Sequence, residues 1–460
     1  MSDVNSKKLD RIKSNIFSRT VSLAKFSINA GAGLAGQGLG KIFKSEEEGA
    51  ISWNVFIAEQ AENFSKEVGE LKGSIMKAGQ MLSMYGEHFF PPEVNKYFKS
   101  LKQDSPALKW EAIEPLIIKY LGAEKYNELD IDKEPLACAS LGQVHRATIK
   151  KTGESIVLKV QYPNVDRAID SDLRAIKTFI HLLKILPQDT SLDPVFDEIK
   201  EMLIQESDYE QEALKTEAFR LRLKDDPRFV VPKIYPEFSN KRILTSSYEK
   251  GLRIEDSLIQ SLSQERRNQL ATNFLDLYFH ELFIWKDLQT DPHAGNYKVR
   301  IGADSKDQWV LFDFGATRSY DDAFLNAYHR MIKGSLIEDK EMLRDAAKDL
   351  KFIYDGDDSL LIEKFEEFCN ETVEPFLKQG DPRQKGPVDA DGNYDWKTTD
   401  LPQRLSKRVL EIIKNFKWRT PPREILFLDR KTGGVFIILL LLKAKMNARP
   451  LIMTYLDSVK

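Results

Sequence analysis

The chain is poor in cysteine, with only Cys138 and Cys369 among 460 residues. That excludes a disulfide framework and a four-cysteine zinc site, and makes a reducing compartment the default. It also lacks a charge of one sign. Lys and Arg number 68, Asp and Glu 71, for a net charge of −3. A generic nucleic-acid binder would be strongly basic, so nucleic acid is not an expected partner. Long hydrophobic runs are missing too. The longest clean one is Val435 to Leu442, bracketed by Arg430, Lys431, Lys443 and Lys445. A membrane span needs about 18–20 apolar residues, so this run reads as buried core helix. The N-terminus has no long apolar segment of the secretory type. What remains is an ordinary globular composition, 42% hydrophobic and 30% charged, which excludes disorder over most of the length.

Residues 1–44 stand apart. Eight basic residues face two acids, Asp3 and Asp10, a local charge of +6, and a glycine-rich stretch runs from Gly31 to Gly40. This is either a solvated tail or a peripheral contact with anionic lipid, with Gly36 and Gly40 spaced for close helix approach. From Ala61 the residues Phe64, Val68, Leu71, Ile75, Ala78 and Leu82 step by three and four, predicting an amphipathic helix that ends before Pro91-Pro92. A second helix is expected from Glu111 to Leu121. Gln143–Ile149 and Ile156–Val160, separated by the turn Lys151–Glu154, read as a β-hairpin. Val195–Leu221 is helical by spacing, and Arg242–Ser246 reads as a strand. After Gly251 the pattern is helical apart from one buried strand, Gln308–Phe312. Gln379–Asn393, rich in Gly, Pro and Asp, reads as a loop.

Two glycine patterns fail as nucleotide sites. Gly31-Ala-Gly33-Leu-Ala-Gly36 follows no convincing strand, and Gly40-Lys41 is followed by Ile42 where a phosphate loop needs Ser or Thr. The second half is more specific. Asp291 precedes Asn296 by five residues, and Asp313-Phe314-Gly315 follows directly on the predicted strand. In kinase-like chemistry the first Asp orients a nucleophile or accepts its proton, while the Asn and second Asp hold the Mg²⁺ that bridges ATP phosphates. Hard oxygen ligands suit magnesium. Upstream, Lys159 sits mid-strand among apolar neighbours, where an unpaired charge is costly, so it requires a carboxylate and suits phosphate. No G-x-G-x-x-G precedes that strand. Leu136 to His145 supplies a small-residue loop instead, stiffer than a glycine loop because alanine carries a Cβ. His293, inside the Asp291–Asn296 segment, reads as a turn residue.

These motifs resemble the UbiB (AarF-type) atypical kinase-like family. The signature reads Lys77-Ala-Gly-Gln80, Ala137-Cys138-Ala139-Ser140, Glu206-Ser-Asp208, Asp291 with Asn296, and Asp313-Phe-Gly315, in order over roughly residues 60–450. Cys138 departs from the alanine run. The resemblance implies that Lys159 is the strand lysine with Glu212 as its helical partner. It further implies that Asp291 is catalytic, and that Asn296 and Asp313 bind metal. Ala137, Cys138, Ala139 and Ser140 would cover the phosphates, and Lys77, Gln80, Glu206 and Asp208 would form the motif folded across the site. Periodicity alone leaves open which carboxylate pairs with Lys159. Glu206 and Glu212 fall on different helix flanks, whereas Asp208 and Glu212 are i, i+4 neighbours. No Ala-Pro-Glu occurs in the chain, which argues against peptide docking and ordinary protein phosphorylation.

The expected fold is α+β, a bilobal kinase-like arrangement with a small β-containing lobe, a mainly helical lobe and an N-terminal helical extension. Its segments are 1–50 (basic), 51–130 (helical extension), 131–250 (smaller lobe) and 251–460 (helical lobe). The resemblance implies a Mg²⁺-dependent ATP (or ADP) binder with ATPase activity that supports ubiquinone or prenyl-quinone synthesis at a membrane surface. Expected partners are a membrane lipid or prenyl-quinone precursor, and quinone-biosynthesis enzymes. Its place would be the cytoplasmic side of the inner membrane in a bacterium, or the mitochondrial matrix face in a eukaryote. A nucleotide-binding pseudokinase scaffold and a small-molecule phosphotransferase are the alternatives.

Overall fold

The computed structural model describes residues 73–85, 107–139, 141–182, 193–415 and 423–458. The basic segment 1–50, the start of the apolar stripe at Ala61, Pro91-Pro92 and Ser140 lie outside them. The chain divides into two compact units. One takes residues up to Leu214 together with Lys233–Tyr248, and the other takes Lys215–Pro232 and Glu249 onward.

In the first unit, α1 (Ser74–Tyr85), α2 (Trp110–Leu121) and the short α3 (Ala123–Asn127) precede strands β1 (Leu129–Cys138), β2 (Gly142–Ile149) and β3 (Ser155–Gln161). Helices α4 (Val165–Leu182) and α5 (Asp193–Glu206) follow, then α6 (Tyr209–Arg222), whose residues up to Leu214 belong to this unit and whose remainder belongs to the second. Strand β4 (Phe229–Val230) belongs to the second unit, and β5 (Ile243–Ser247) returns to the first. The sheet order is β1-β2-β3-β5, antiparallel throughout. Period-two alternation buries Ile156, Leu158 and Val160 on one face against Ile113, Ile117 and Leu121 of α2. Lys159 therefore points to the opposite face. Gly142 is required at the start of β2, because a Cβ there would stand 2.4 Å from the Val160 carbonyl.

Two local expectations change. The helix predicted over Val195–Leu221 is two helices, because the Asp208 carboxylate accepts a hydrogen bond from the Gln211 backbone N–H at 3.0 Å and caps α6. Asp208-Tyr-Glu-Gln211 has the residue types of a capping box. The small-residue loop is also shorter than predicted. Pairing with β2 draws Ala137 and Cys138 into β1, leaving a turn in which the Ala139 N–H donates to the Gly142 carbonyl at 2.8 Å.

In the second unit, α7 (Ser257–Gln260) and α8 (Gln264–Phe279) run into a π-helical turn, His280–Trp285. Four short strands follow: β6 (Asp287–Gln289), β7 (Tyr297–Arg300), β8 (Gln308–Leu311) and β9 (Thr317–Ser319). They form a β4-β8-β7 sheet and a β6–β9 ladder. Helices α9 (Asp322–Ile337), α10 (Lys340–Asp349) and α11 (Ser359–Thr372) come next, then β10 (Tyr394–Asp395) and α12 (Leu401–Asn415). The remaining elements are α13 (Arg423–Leu441), β11 (Lys445–Met446) and α14 (Arg449–Ser458). The sequence predicted one strand after Gly251. The others span two to four residues, too short for a period to register, and are set by their partners. The core joins Leu270, Phe274 and Leu275 of α8 to Trp309 of β8 and to Val435, Ile438 and Leu439 of α13, all essentially fully buried. Among the described residues, no helix is long and apolar enough to cross a membrane.

Candidate functional site

Each unit carries one constellation of the predicted residues. In the first, Lys159 Nζ lies 2.8 and 2.9 Å from the two oxygens of Glu212. The cap at Asp208 sets where α6 begins, and one turn later Glu212 meets the sheet, 3% exposed. Tyr209, a turn earlier on α6, places its ring under the ammonium at 5.1 Å. The partner left open by periodicity is thus Glu212. Asp208 is occupied as a helix cap. Lys77 on α1 pairs with Glu206 at 2.9 Å, both largely shielded. Buried Ser74 fixes α1 by donating to Asp172 of α4 at 2.5 Å. Gln80 lies on α1, its side chain outside the described ones. Cys138 is exposed and takes part in no disulfide, and Ala139 occupies the turn before β2.

In the second unit, the segment 290–296 joins β6 to β7, and 312–316 joins β8 to β9. Pairing of β7 with β8 and of β6 with β9 brings both connections side by side. The Phe312 N–H donates to the Asn296 carbonyl at 2.9 Å, which makes Asn296 and Asp313 neighbours. The Asn296 amide nitrogen donates to the Asp291 carbonyl at 2.9 Å, turning its amide oxygen away from that contact. Asp313 adopts the left-handed backbone, φ 57°, uncommon for a residue with a Cβ and frequent at functional turns. Its carboxylate accepts from the Gly315 N–H at 3.3 Å. Phe314 is buried against Phe219, ring centroids 4.6 Å apart, and anchors the turn.

An amide oxygen and a carboxylate on adjoining turns are hard donors of the type Mg²⁺ takes when phosphates and water complete its shell. The residues fit that ion. Among the described residues no group of three or more His, Cys, Asp or Glu could hold a metal, so a richer protein cage is not offered there. His293 caps its own turn, its Nδ1 accepting from the Gly295 N–H at 3.0 Å.

Three functional positions escaped sequence reasoning. Gln289, 2% exposed, donates through one amide nitrogen to the carbonyls of Asp291 at 2.9 Å and Asp313 at 3.0 Å, tying the two turns together. Its amide oxygen accepts from Tyr297 at 2.9 Å. Burial, with the charges of Glu281, Asp291 and Asp313 adding, pushes the Tyr297 phenol up and keeps it a donor. The third is Arg430 of α13, whose guanidinium lies 2.5 Å from the Asp291 carboxylate. Only its place beside the apolar run hinted at it. Next to it, Lys431 forms a fully buried pair with Glu281 at 2.8 Å.

Residues 100–347 match the ABC1 atypical kinase-like domain. The chain is similar to "Atypical kinase COQ8B, mitochondrial" of Danio rerio, 28% identical over 454 residues, which cover 98% of this chain and 70% of that protein. It is similar to "Atypical kinase COQ8, mitochondrial" of Saccharomyces cerevisiae, 27% identical over 434 residues, covering 94% and 83%. Among solved structures, a complex of Rv3197 with erythromycin from Mycobacterium tuberculosis shares the fold. It has a TM-score of 0.58 at 24% identity, covering 88% of this chain and 97% of that one.

Proposed function

The chain belongs to the ABC1 atypical kinase-like family, of the UbiB (AarF) type, with its kinase-like α+β fold, and from that premise we propose that it binds ATP with Mg²⁺ and hydrolyses it slowly in support of ubiquinone or prenyl-quinone synthesis at a membrane surface. The observation that carries this reading is the tie of Asp291, Asn296 and Asp313 through Gln289. Bound magnesium would neutralise charge on the phosphates. Asn296 and Asp313 would hold it, Gln289 fixes the spacing of their turns, and Asp291 orients the attacking oxygen. Lys159, held by Glu212, offers its ammonium to phosphate oxygens. The missing Ala-Pro-Glu supports water or a small acceptor over a docked peptide. Relatives named mitochondrial support a matrix-face location in a eukaryote, and the basic residues 1–44 are the candidate lipid contact.

The test is ATP hydrolysis by the full-length protein with magnesium, with and without anionic liposomes, beside Asp313→Asn. Turnover that rises with liposomes and vanishes in the variant supports the proposal. Unchanged Mg-ATP binding and turnover in Asp313→Asn overturns the metal assignment. Liposome binding unaffected by deletion of residues 1–44 at low and high salt removes the membrane part.

One observation favours a second reading. Arg430 engages the carboxylate of Asp291, which suits a nucleotide-binding scaffold that organises partner enzymes without turnover. Full complementation of a null strain by Asp291→Asn would select it.

A further inference from the structure

The turn that carries Asp313 is gripped from two sides. On the β6 side, Gln289 donates to the Asp313 carbonyl at 3.0 Å, and Thr290 donates to the Ala316 carbonyl through its N–H at 3.1 Å and its hydroxyl at 2.6 Å. On the α6 side, the Lys215 ammonium donates to the Thr317 carbonyl at 2.8 Å, directly after the turn. Phe219 packs on Phe314, and Arg222 lies 2.6 Å from Asp287 of β6. The Asp287 carboxylate also accepts from the Ser319 hydroxyl of β9. Positions 215, 219 and 222 are spaced i, i+4 and i+7, so one face of α6 meets the turn and the β6–β9 ladder. Lys215 begins the part of α6 that belongs to the second unit, so all of these contacts lie inside that unit.

The turn needs such a grip. Asp313 holds the left-handed backbone at φ 57°. That conformation is unfavourable for a residue with a Cβ and persists only where the surroundings over-determine it. The donors on the β6 side are neutral amides and a hydroxyl. Lys215 brings a charged donor, and charge-assisted hydrogen bonds are roughly twice as strong as neutral ones.

We propose that Lys215 is a positioning residue for the magnesium-dependent chemistry, pinning the Asp313 turn by its ammonium at the Thr317 carbonyl. Phe219 and Arg222 keep α6 in register for that contact. The inference rests on the assignment of Asp313 to magnesium.

The test is the affinity of the full-length protein for ATP, measured by calorimetry with and without magnesium. The quantity read is the gain in affinity that magnesium gives. In Lys215→Met the gain should fall by about tenfold, the order of one charge-assisted hydrogen bond, with the metal-free affinity unchanged. Lys215→Arg, which keeps a charged donor, should retain the gain. Lys215→Gln is a second charge-removing variant held to the same criteria as Lys215→Met. An undiminished gain in the charge-removing variants overturns the proposal, as does an equal loss in Lys215→Arg. A fall in metal-free affinity as large as the fall with magnesium marks a merely structural role and also overturns it. Asp313→Asn, run in parallel, separates the two ideas. A gain kept there removes the magnesium assignment itself, whereas a gain lost there and kept in Lys215→Met overturns the role of Lys215 alone.

Discussion

Arg430 and Asp291, 139 positions apart in sequence, stand 2.5 Å apart at the candidate catalytic turn. The guanidinium fixes one oxygen of the carboxylate that the proposed reaction needs in a single orientation. Arg430→Gln is expected to lower ATP turnover by about ten- to a hundredfold, the cost of a misplaced reacting group. Mg-ATP binding should change far less. A large loss of binding with turnover of the bound complex intact would contradict the positioning role.

Gly434 lies one helical turn beyond Arg430, beneath the same connection. A Cβ there would stand 2.1 Å from Pro292 Cγ and 2.3 Å from its Cβ, whereas a Cβ at Gly433 meets nothing within 4 Å. Gly434→Ala should therefore displace the Asp291–Asn296 turn, costing about 1–3 kcal/mol of stability as overpacking does, and suppress turnover. Gly433→Ala should stabilise by up to about 1 kcal/mol, because helix-interior glycine is disfavoured. Denaturant unfolding of the two variants checks the contrast, and equal effects would refute it.

Lys431 and Glu281 are both 2% exposed and pair at 2.8 Å. Burial pushes the Glu281 carboxyl up and the Lys431 charge pulls it back, so each group needs the other. Lys431→Met should destabilise by about 3–5 kcal/mol, since it strands a buried carboxylate. The double change with Glu281→Leu should recover most of that loss. Chemical denaturation of both variants reads this directly.

His145 is fully buried, and its contacts select the neutral ring. Nδ1 donates to the Asp132 carbonyl at 2.8 Å, and Nε2 accepts from the Gln143 amide at 2.8 Å. Burial lowers its pKa below the ordinary value near 6.5. Between the folded and unfolded pKa the unfolded chain binds more protons. Stability is then complete above about pH 6.5 and falls as pH drops, by up to about 1.4 kcal/mol per pH unit for one group. His329 on α9 is lowered by burial too and acts in the same sense. Stability measured from pH 7.5 to 5 should decline less steeply in His145→Gln, and an unchanged slope would discount His145.

Much of the local chemistry belongs to the sequence alone. Lys159 faces away from Ile156, Leu158 and Val160 because strand side chains alternate, and that follows from residue order. The hairpin of β2 and β3, the helix ending at Leu121 and the strand leading to Asp313 were legible from periodicity and turn residues. So were the hard-oxygen types at Asn296 and Asp313. The break between α5 and α6 was legible in principle through Asp208 and Gln211, but the apolar spacing on both sides masked it. Tertiary structure decided what periodicity cannot carry. Glu212 became the partner of Lys159 because capping fixes the register of α6 against the sheet. Gln289 and Arg430 became site residues because β6 pairs with β9 and α13 lies under the Asp291 turn. Those contacts join residues 24 and 139 positions apart, a separation that only chain packing can close.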